Sequence, residues 1–306
     1  MAKKWVTVMG SFVADLAFRT ERIPAWGETL MGPSFQLGPG GKGSNQAVAA
    51  ARAGGRVSFI SKLGADPFGD MARALYAAEG IDTRFLFKTS SATGAAAIII
   101  DAARGENAII VVPGACFEVS AAEVDQARAL IAESAVFVAQ LELPLPVVEH
   151  GLALAHSLGV PTILNPAPAT LLPESIYRHI DYITPNETET CALTGIPVTN
   201  LAEAELAADA LLARGVRNAI ITLGAQGVFV KNAREKAHVA AVDAGKVRET
   251  TGAGDAFNGG LAVALSEGMD LIEAARFGCA TAGISVTRPG TAPSMPARAE
   301  IDALLK

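Results

Sequence analysis

Long apolar runs, clustered basic residues, histidine and cysteine are all in short supply in this sequence. No stretch approaches the ~18 consecutive apolar residues that a membrane-spanning helix requires, so no membrane association is expected. Lys and Arg total 25 against 31 Asp and Glu, giving a net charge of −6. The basic residues are dispersed, whereas a phosphate backbone demands clustered cations, so no nucleic-acid partner is expected. The 3 cysteines, Cys116, Cys191 and Cys279, are odd in number and scattered. That excludes a disulfide framework and fits a reducing, cytoplasmic setting. The 4 histidines show no metal-ligand spacing. The amino-terminal Met1-Ala2-Lys3-Lys4 leads into only about five strand-like residues, too few for the apolar region of a signal peptide.

Of the 306 residues, 50% are hydrophobic and 18% are charged, enough for a large core. Short β-branched runs at 5–9, 57–61, 136–140, 162–165, 182–184 and 219–223 predict strands. Longer Ala- and Leu-rich runs at 43–53, 68–79, 121–132, 145–158, 187–193, 202–213, 255–267 and 272–286 predict helices. Ser120 with Glu123 and Asn200 with Glu203 have capping-box spacing, or a variant of it. Alternating strand and helix predicts a mostly parallel sheet covered on both faces, a three-layer α/β arrangement. Two regions break the alternation. Residues 11–38 and about 92–112 carry strand patterns at 14–20, 30–37, 93–101 and 108–112 with no helix between them. They predict a small antiparallel β lid beside the main sheet, within one domain spanning 1–306.

The most informative segment is Thr250-Thr251-Gly252-Ala253-Gly254-Asp255-Ala256-Phe257-Asn258. Small residues followed by an apolar run predict a tight turn entering a helix, whose first amides lack internal partners and suit phosphate oxygens. A carboxylate there adds charge where an anion would bind. Its expected role is chemical: a general base for a hydroxyl that attacks a phosphoryl group.

Gly38-Pro39-Gly40-Gly41-Lys42-Gly43-Ser44-Asn45 leads into the helix at 43–53. The glycines would let backbone amides approach a polar ligand, and Asn45 offers both donor and acceptor. A flexible turn is the bland alternative, and it does not require so many glycines around Lys42 and Asn45. It is no Walker A loop, because Lys42 is followed by Gly43. Asp15 follows the first strand, where it reads as a sugar-hydroxyl acceptor or as a plain turn acid. Gln140-Leu141-Glu142 and Asn165-Pro166-Ala167-Pro168 follow two further strands. Asn186 and Glu189 are three apart on one helical face. They would suit a hydrated Mg²⁺, or form an ordinary cap with a first-turn acid. Thr222-Leu223-Gly224-Ala225-Gln226-Gly227 reads as a glycine-rich hairpin or as a phosphate loop.

Together these segments, in this order, resemble the ribokinase-like (PfkB) family of sugar kinases from Val6 to about Leu304. The 40–50, 165–168, 183–189, 221–224 and 286–294 segments are similar to its ribose-phosphorylating branch. The resemblance implies ATP-dependent phosphorylation of the primary 5-hydroxyl of a pentose. It implies that Asp255 is the base and that the amides of Gly252, Ala253 and Gly254 form an anion hole. It puts Val13, Asp15, Gly41, Lys42, Gly43, Asn45 and Glu142 on sugar-binding positions. Asn186 and Glu189 match the family's magnesium motif. Thr222, Leu223, Gly224, Gly227, Gly254 and Cys279, with Asn186, fall on nucleotide positions. Glu249, Thr251, Ser285, Arg288, Gly290 and Ser294 match a monovalent-cation site, implying K⁺. An exposed lid edge invites a second copy, so a homodimer through the lid is expected.

Two positions depart from the family. Val13 stands where ribose-specific members carry Asn, and an apolar residue cannot bond a hydroxyl. That brings 2-deoxyribose, or another furanose-forming sugar, alongside ribose. Glu249 stands where Asp is usual. A nucleoside or hexose kinase of the same superfamily, and a catalytically idle sugar-binding protein, are the remaining alternatives.

Overall fold

The computed structural model describes residues 4–101 and 107–306. Residues 1–3, which open the amino-terminal segment, and 102–106, inside the second lid span, lie outside the described residues. In order, the first half runs β1 (Trp5–Met9), β2 (Val13–Thr20), β3 (Ser34–Gly40), α1 (Lys42–Arg52), β4 (Arg56–Gly64), α2 (Pro67–Ala78), β5 (Leu86–Thr89), β6 (Thr93–Asp101), β7 (Asn107–Gly114), α3 (Ala121–Gln126), α4 (Arg128–Ala132), β8 (Ser134–Gln140) and α5 (Leu145–Ser157). The second half runs β9 (Thr162–Asn165), α6 (Glu174–Tyr177), β10 (Tyr182–Ile183), α7 (Glu187–Thr194), α8 (Leu201–Ala213), β11 (Asn218–Thr222), β12 (Val228–Asn232), β13 (Lys236–Val239), α9 (Ala253–Ser266), α10 (Leu271–Ser285) and α11 (Arg298–Leu304).

The side-chain period of two along each strand divides the core between two layers. Val6 and Val8 of β1, with Val136 and Val138 of β8, pack against α1, α2, α9 and α10. Met9, Phe137 and Ala139 point the other way, toward Val124 of α3, Ile131 of α4, Leu152 of α5 and Leu211 of α8. The large sheet has the order β13-β12-β11-β10-β9-β8-β1-β4-β5, antiparallel only where β12 meets β11 and β13. This is the expected three-layer arrangement.

The remaining strands build a separate sheet, β3-β2-β6-β7. Its outer pairings are antiparallel, and β2 with β6 is parallel, in register from Val13 opposite Gly94 to Thr20 opposite Asp101. The strand expected at 30–37 begins only at Ser34, after Gly32 and Pro33, two poor ladder residues. The helix expected at 121–132 is interrupted at Ala127. Ser120 and Glu123 close a full capping box, while Glu203 reaches past Asn200 to the Thr199 amide at 2.7 Å.

Chain order reverses between β1 and its neighbours β4 and β8, and ligands of open α/β sheets bind beyond the strand ends at such a point. Ser11, Glu142, Asn165, Asn186 and Thr222 all sit at or just past carboxyl ends of these strands.

Candidate active site

Gly252 adopts φ 82°, the left-handed conformation that favours glycine, and turns the chain into α9. Asp255 is therefore the third residue of the helix, and it is buried. The N–H groups of Gly252, Gly254 and Asp255 bond no acceptor among the described residues. The N–H of Ala253 differs from expectation: it turns back onto the Thr250 carbonyl at 3.1 Å. In this conformation an anion would meet Gly252, Gly254 and Asp255, with Ala253 held in the turn.

Among the described residues, the carboxylate of Asp255 makes no ion pair with Lys or Arg. Asn45 Nδ2 donates to its Oδ2 and Gln46 Nε2 to its Oδ1, each at 3.0 Å. Burial pushes its pKa up to about 6, against the pull of Lys42 and these two amides. Both amide donors come from α1, which starts at Lys42 behind Gly41, at φ 86°. Side chains at Gly41 and Gly43 would collide with the 10–13 backbone, so these glycines let α1 start against the end of β1.

Glu142 anchors that start. Its Oε2 accepts from the Lys42 amide at 2.8 Å and from the Ser11 hydroxyl. Burial works against the Lys42 charge, but Asp255, Glu142 and Glu189 outweigh it and hold the pKa above the usual lysine value. Asp15 lies within β2 rather than at the end of β1, because the chain turns at 10–12 and re-enters a strand at Val13. Its carboxylate lies against Gly40, where a β-carbon would strike it. Burial first, then Glu142 and Asp255, push Asp15 up to about 6. Val13, beside it, is buried between Gly40 and Gly94.

Asn186 and Glu189 form a reciprocal capping box: Asn186 Oδ1 accepts the Glu189 amide at 2.8 Å, and Glu189 Oε2 the Asn186 amide at 2.9 Å. Burial raises the Glu189 pKa. Among the described residues no cluster of three or more His, Cys, Asp or Glu could cage a metal. One carboxylate beside one amide suits a magnesium ion that keeps its waters and binds mainly phosphate, so the residues fit it.

Two cavities meet here. The smaller, about 170 Å³, is lined by Lys42, Asn165, Asn186, Glu189, Gly254 and Asp255, among others. The larger, about 550 Å³, includes Thr222, Gly224, Gly227, Phe257 and Cys279 in its lining. Asn186, Thr222 and Gly254 border both. Thr222 bridges to Asn186 through its amide on the Pro185 carbonyl at 2.9 Å. Leu223 is buried and accepts in the turn at 224–227 rather than facing either cavity. Burial raises the Cys279 thiol to about 12, so it enters as a neutral, apolar wall.

The positions matched to a monovalent cation gather around the 285–294 loop. Glu249 Oε2 accepts the Gly290 amide at 2.9 Å, and the Ser285 and Ser294 hydroxyls are 3.2 Å apart. Arg288 turns its side chain outward to Glu300, and the Thr251 side chain is exposed. A carboxylate, two hydroxyls and loop carbonyls are hard oxygen donors, which fits an alkali cation.

Sequence reasoning assigned no role to Gln46, Gln140, Asn165, Thr184 or Asn258, which form a polar cluster behind Asp255. Thr184 Oγ1 donates to Asn258 Oδ1 at 2.7 Å, and Asn258 Nδ2 to the Gly254 carbonyl at 2.8 Å. Asn258 lies three residues after Asp255, on the same helix face, which was the available signal. The 241–247 wall of the larger cavity was also missed, since it has no distinctive residue types.

Comparison with known proteins agrees with this fold. The model of the pfkB family carbohydrate kinases matches residues 3–298. The ribokinase of Haemophilus influenzae is 43% identical over 298 residues, covering 97% of each chain. The deoxyribokinase of Salmonella typhi is 35% identical over 292 residues, covering 95% of each. The structure of Arabidopsis thaliana ribokinase complexed with ribose and ATP superposes with a TM-score of 0.93 at 30% identity, covering 100% of this chain and 99% of that one. With a match over almost its whole length, and a buried carboxylate at the unpaired amides of a helix start, the chain belongs to the PfkB family of carbohydrate kinases.

Proposed function

We propose that this ATP-dependent sugar kinase transfers the γ-phosphoryl group of ATP to the primary 5-hydroxyl of a pentose, D-ribose first. The observation that carries the reading is Asp255, a buried carboxylate that makes no ion pair among the described residues, where a cavity of about 170 Å³ meets a larger, mainly apolar one. The names of the relatives support it, since ribose and ATP lie in the Arabidopsis complex.

Asp255 takes the proton of the 5-hydroxyl as that oxygen attacks the γ-phosphorus. The bond to phosphorus forms, the bond to the ADP oxygen breaks, and the proton rests on the carboxylate. The N–H groups of Gly252, Gly254 and Asp255 would stabilise charge on the migrating group, and one such donor is worth about 10²–10³ in rate. Lys42 supplies positive charge beside three carboxylates, Asp255, Glu142 and Glu189. Asn186 and Glu189 would hold magnesium, which supplies neutralising charge to the phosphates when bound. Glu249, Thr251, Ser285, Arg288, Gly290 and Ser294 would hold potassium against the turn that carries the amides. Asp15, Asn45 and Glu142 would bind sugar hydroxyls, and the four-stranded sheet would close over them as a lid that excludes water. The 1–306 chain works as one kinase unit, and the cytoplasm, where ATP and free sugar meet, is its proposed setting.

Val13 favours a second substrate. An apolar side chain at that sugar position leaves nothing for a hydroxyl to bond, so 2-deoxyribose is the competitor. An ADP-release assay over ribose, 2-deoxyribose, fructose and adenosine tests the reading: pentoses should dominate, and preference for fructose or adenosine would overturn it.

The lid also carries the proposed homodimer contact. Phe35, Ile110 and Val112 are each more than half exposed, and the Phe18 and Phe35 rings pack in a tilted pair with centroids 4.9 Å apart. Light scattering should give twice the chain mass, and Ile110→Glu should halve it; a wild-type monomer would contradict the proposal.

A further inference from the structure

Gln46 is fully buried and lines neither cavity, yet its amide touches Asp255. Both hydrogens of its Nε2 are used, one on Asp255 Oδ1 and one on Asn165 Oδ1, each at 3.0 Å. Its Oε1 accepts from Gln140 Nε2 at 2.7 Å. Asn165 Nδ2 in turn donates to the backbone carbonyl of Thr184 at 3.1 Å.

This chain of amides has a direction, and a backbone atom sets it. The Thr184 carbonyl can only accept, so the nitrogen of Asn165 must face it. Asn165 Oδ1 then faces Gln46, which must answer with its nitrogen. That nitrogen also lies on Asp255. A flipped Gln46 would set its oxygen against both Asn165 Oδ1 and the Asp255 carboxylate, and it would point its nitrogen at the Gln140 donor.

We propose that Gln46 is a positioning residue for the catalytic carboxylate: its amide, with polarity dictated from Thr184 through Asn165, aims Asp255 at the sugar hydroxyl. The proposal rests on Asp255 being the base. Asn45 holds Oδ2 and Gln46 holds Oδ1, so the plane of the carboxylate is defined by two buried donors on one helix. A donor to a carboxylate also favours its ionised form, which a base requires. The charged groups that share this environment are Lys42, Glu142, Asp15 and Glu189.

The test compares Gln46→Met, Gln140→Met and Asp255→Asn with the parent enzyme. It reads kcat, both KM values, the acidic limb of kcat/KM against pH, and thermal melting. Gln46→Met should lower kcat about 10–100-fold, leave both KM values within about twofold, and move the acidic limb up by about one pH unit. Gln140→Met, which removes only the donor to Gln46 Oε1, should move the same readouts in the same direction by less. It carries the test if Gln46→Met does not fold. A parental kcat with the limb in place, or a loss confined to KM, overturns the proposal. Activity in Asp255→Asn would refute the base itself. An inactive Asp255→Asn beside a Gln46→Met enzyme of parental rate and pH profile would refute only the role of Gln46.

Discussion

Gly259 of α9 lies so close beneath Gln46 of α1 that a β-carbon on it would come within 2.9 Å of the Gln46 carbonyl oxygen and 2.8 Å of the Ala50 nitrogen. One turn of α9 separates Gly259 from Asp255. The bare backbone at Gly259 therefore sets the distance across which Asn45 and Gln46 reach the carboxylate. Gly259→Ala should push the two helices apart, costing about 1–3 kcal/mol as overpacking does. Turnover should fall about tenfold or more as both amide donors draw away. Melting and kcat measured together check this; parental values for both would show that the close approach is dispensable.

The acid–base state of Asp255 gives two pH effects of opposite sign. Its folded pKa, about 6, lies above the ordinary 3.8. The folded state thus holds a proton that the unfolded state has released, and the contribution of this group to stability declines as pH rises from about 4 to about 6. Asp255→Asn, neutral throughout, should melt progressively higher relative to the parent across that window and keep a constant advantage above it. Activity runs the other way, because only ionised Asp255 can accept a proton, so kcat/KM should climb through the same window. A melting difference that does not change with pH would remove the buried-carboxylate argument.

Val13 offers a change of specificity. It is buried in β2 between Gly40 and Gly94. Val13→Asn should raise the ratio of kcat/KM for ribose over 2-deoxyribose by about tenfold or more, since a positioned polar group gains a partner only from the hydroxylated sugar. An unchanged ratio would mean that this side chain does not face the distinguishing hydroxyl.

Glu249 tests the cation proposal. Its bond to the Gly290 amide can survive replacement by Gln, whereas its charge cannot. Glu249→Gln should therefore lose activation by potassium, measured against choline at constant ionic strength, with little loss of melting temperature. Equal rates with and without potassium in the parent enzyme would dispose of the site.

Much of this architecture was legible in the sequence. The strands at 5–9 and 162–165 are found as read, because a short run with β-branched residues ends at a breaker, Gly10 or Pro166, in each. α9 and α10 were legible from their Ala-rich runs and the turn before them. What escaped reading lacked pattern: β5 runs Leu86-Phe87-Lys88-Thr89 with one β-branched residue, and α6 is one turn, too little for a helical period to show. At the site, charge and glycine spacing marked Asp255, Lys42 and the turn at 222–227. The amide relay did not announce itself, since Gln46, Gln140 and Asn165 are far apart in the chain and become partners only once β8, β9, α1 and α9 pack. Nor could spacing show that the Ala253 amide turns onto Thr250, a matter of one peptide's rotation.

The most direct test of the central claim is a single-turnover measurement on Asp255→Asn with ATP, magnesium and ribose, beside equilibrium binding of both substrates. The account predicts near-parental binding and a phosphoryl-transfer rate lower by about 10³-fold or more. Transfer at close to the parental rate would contradict it.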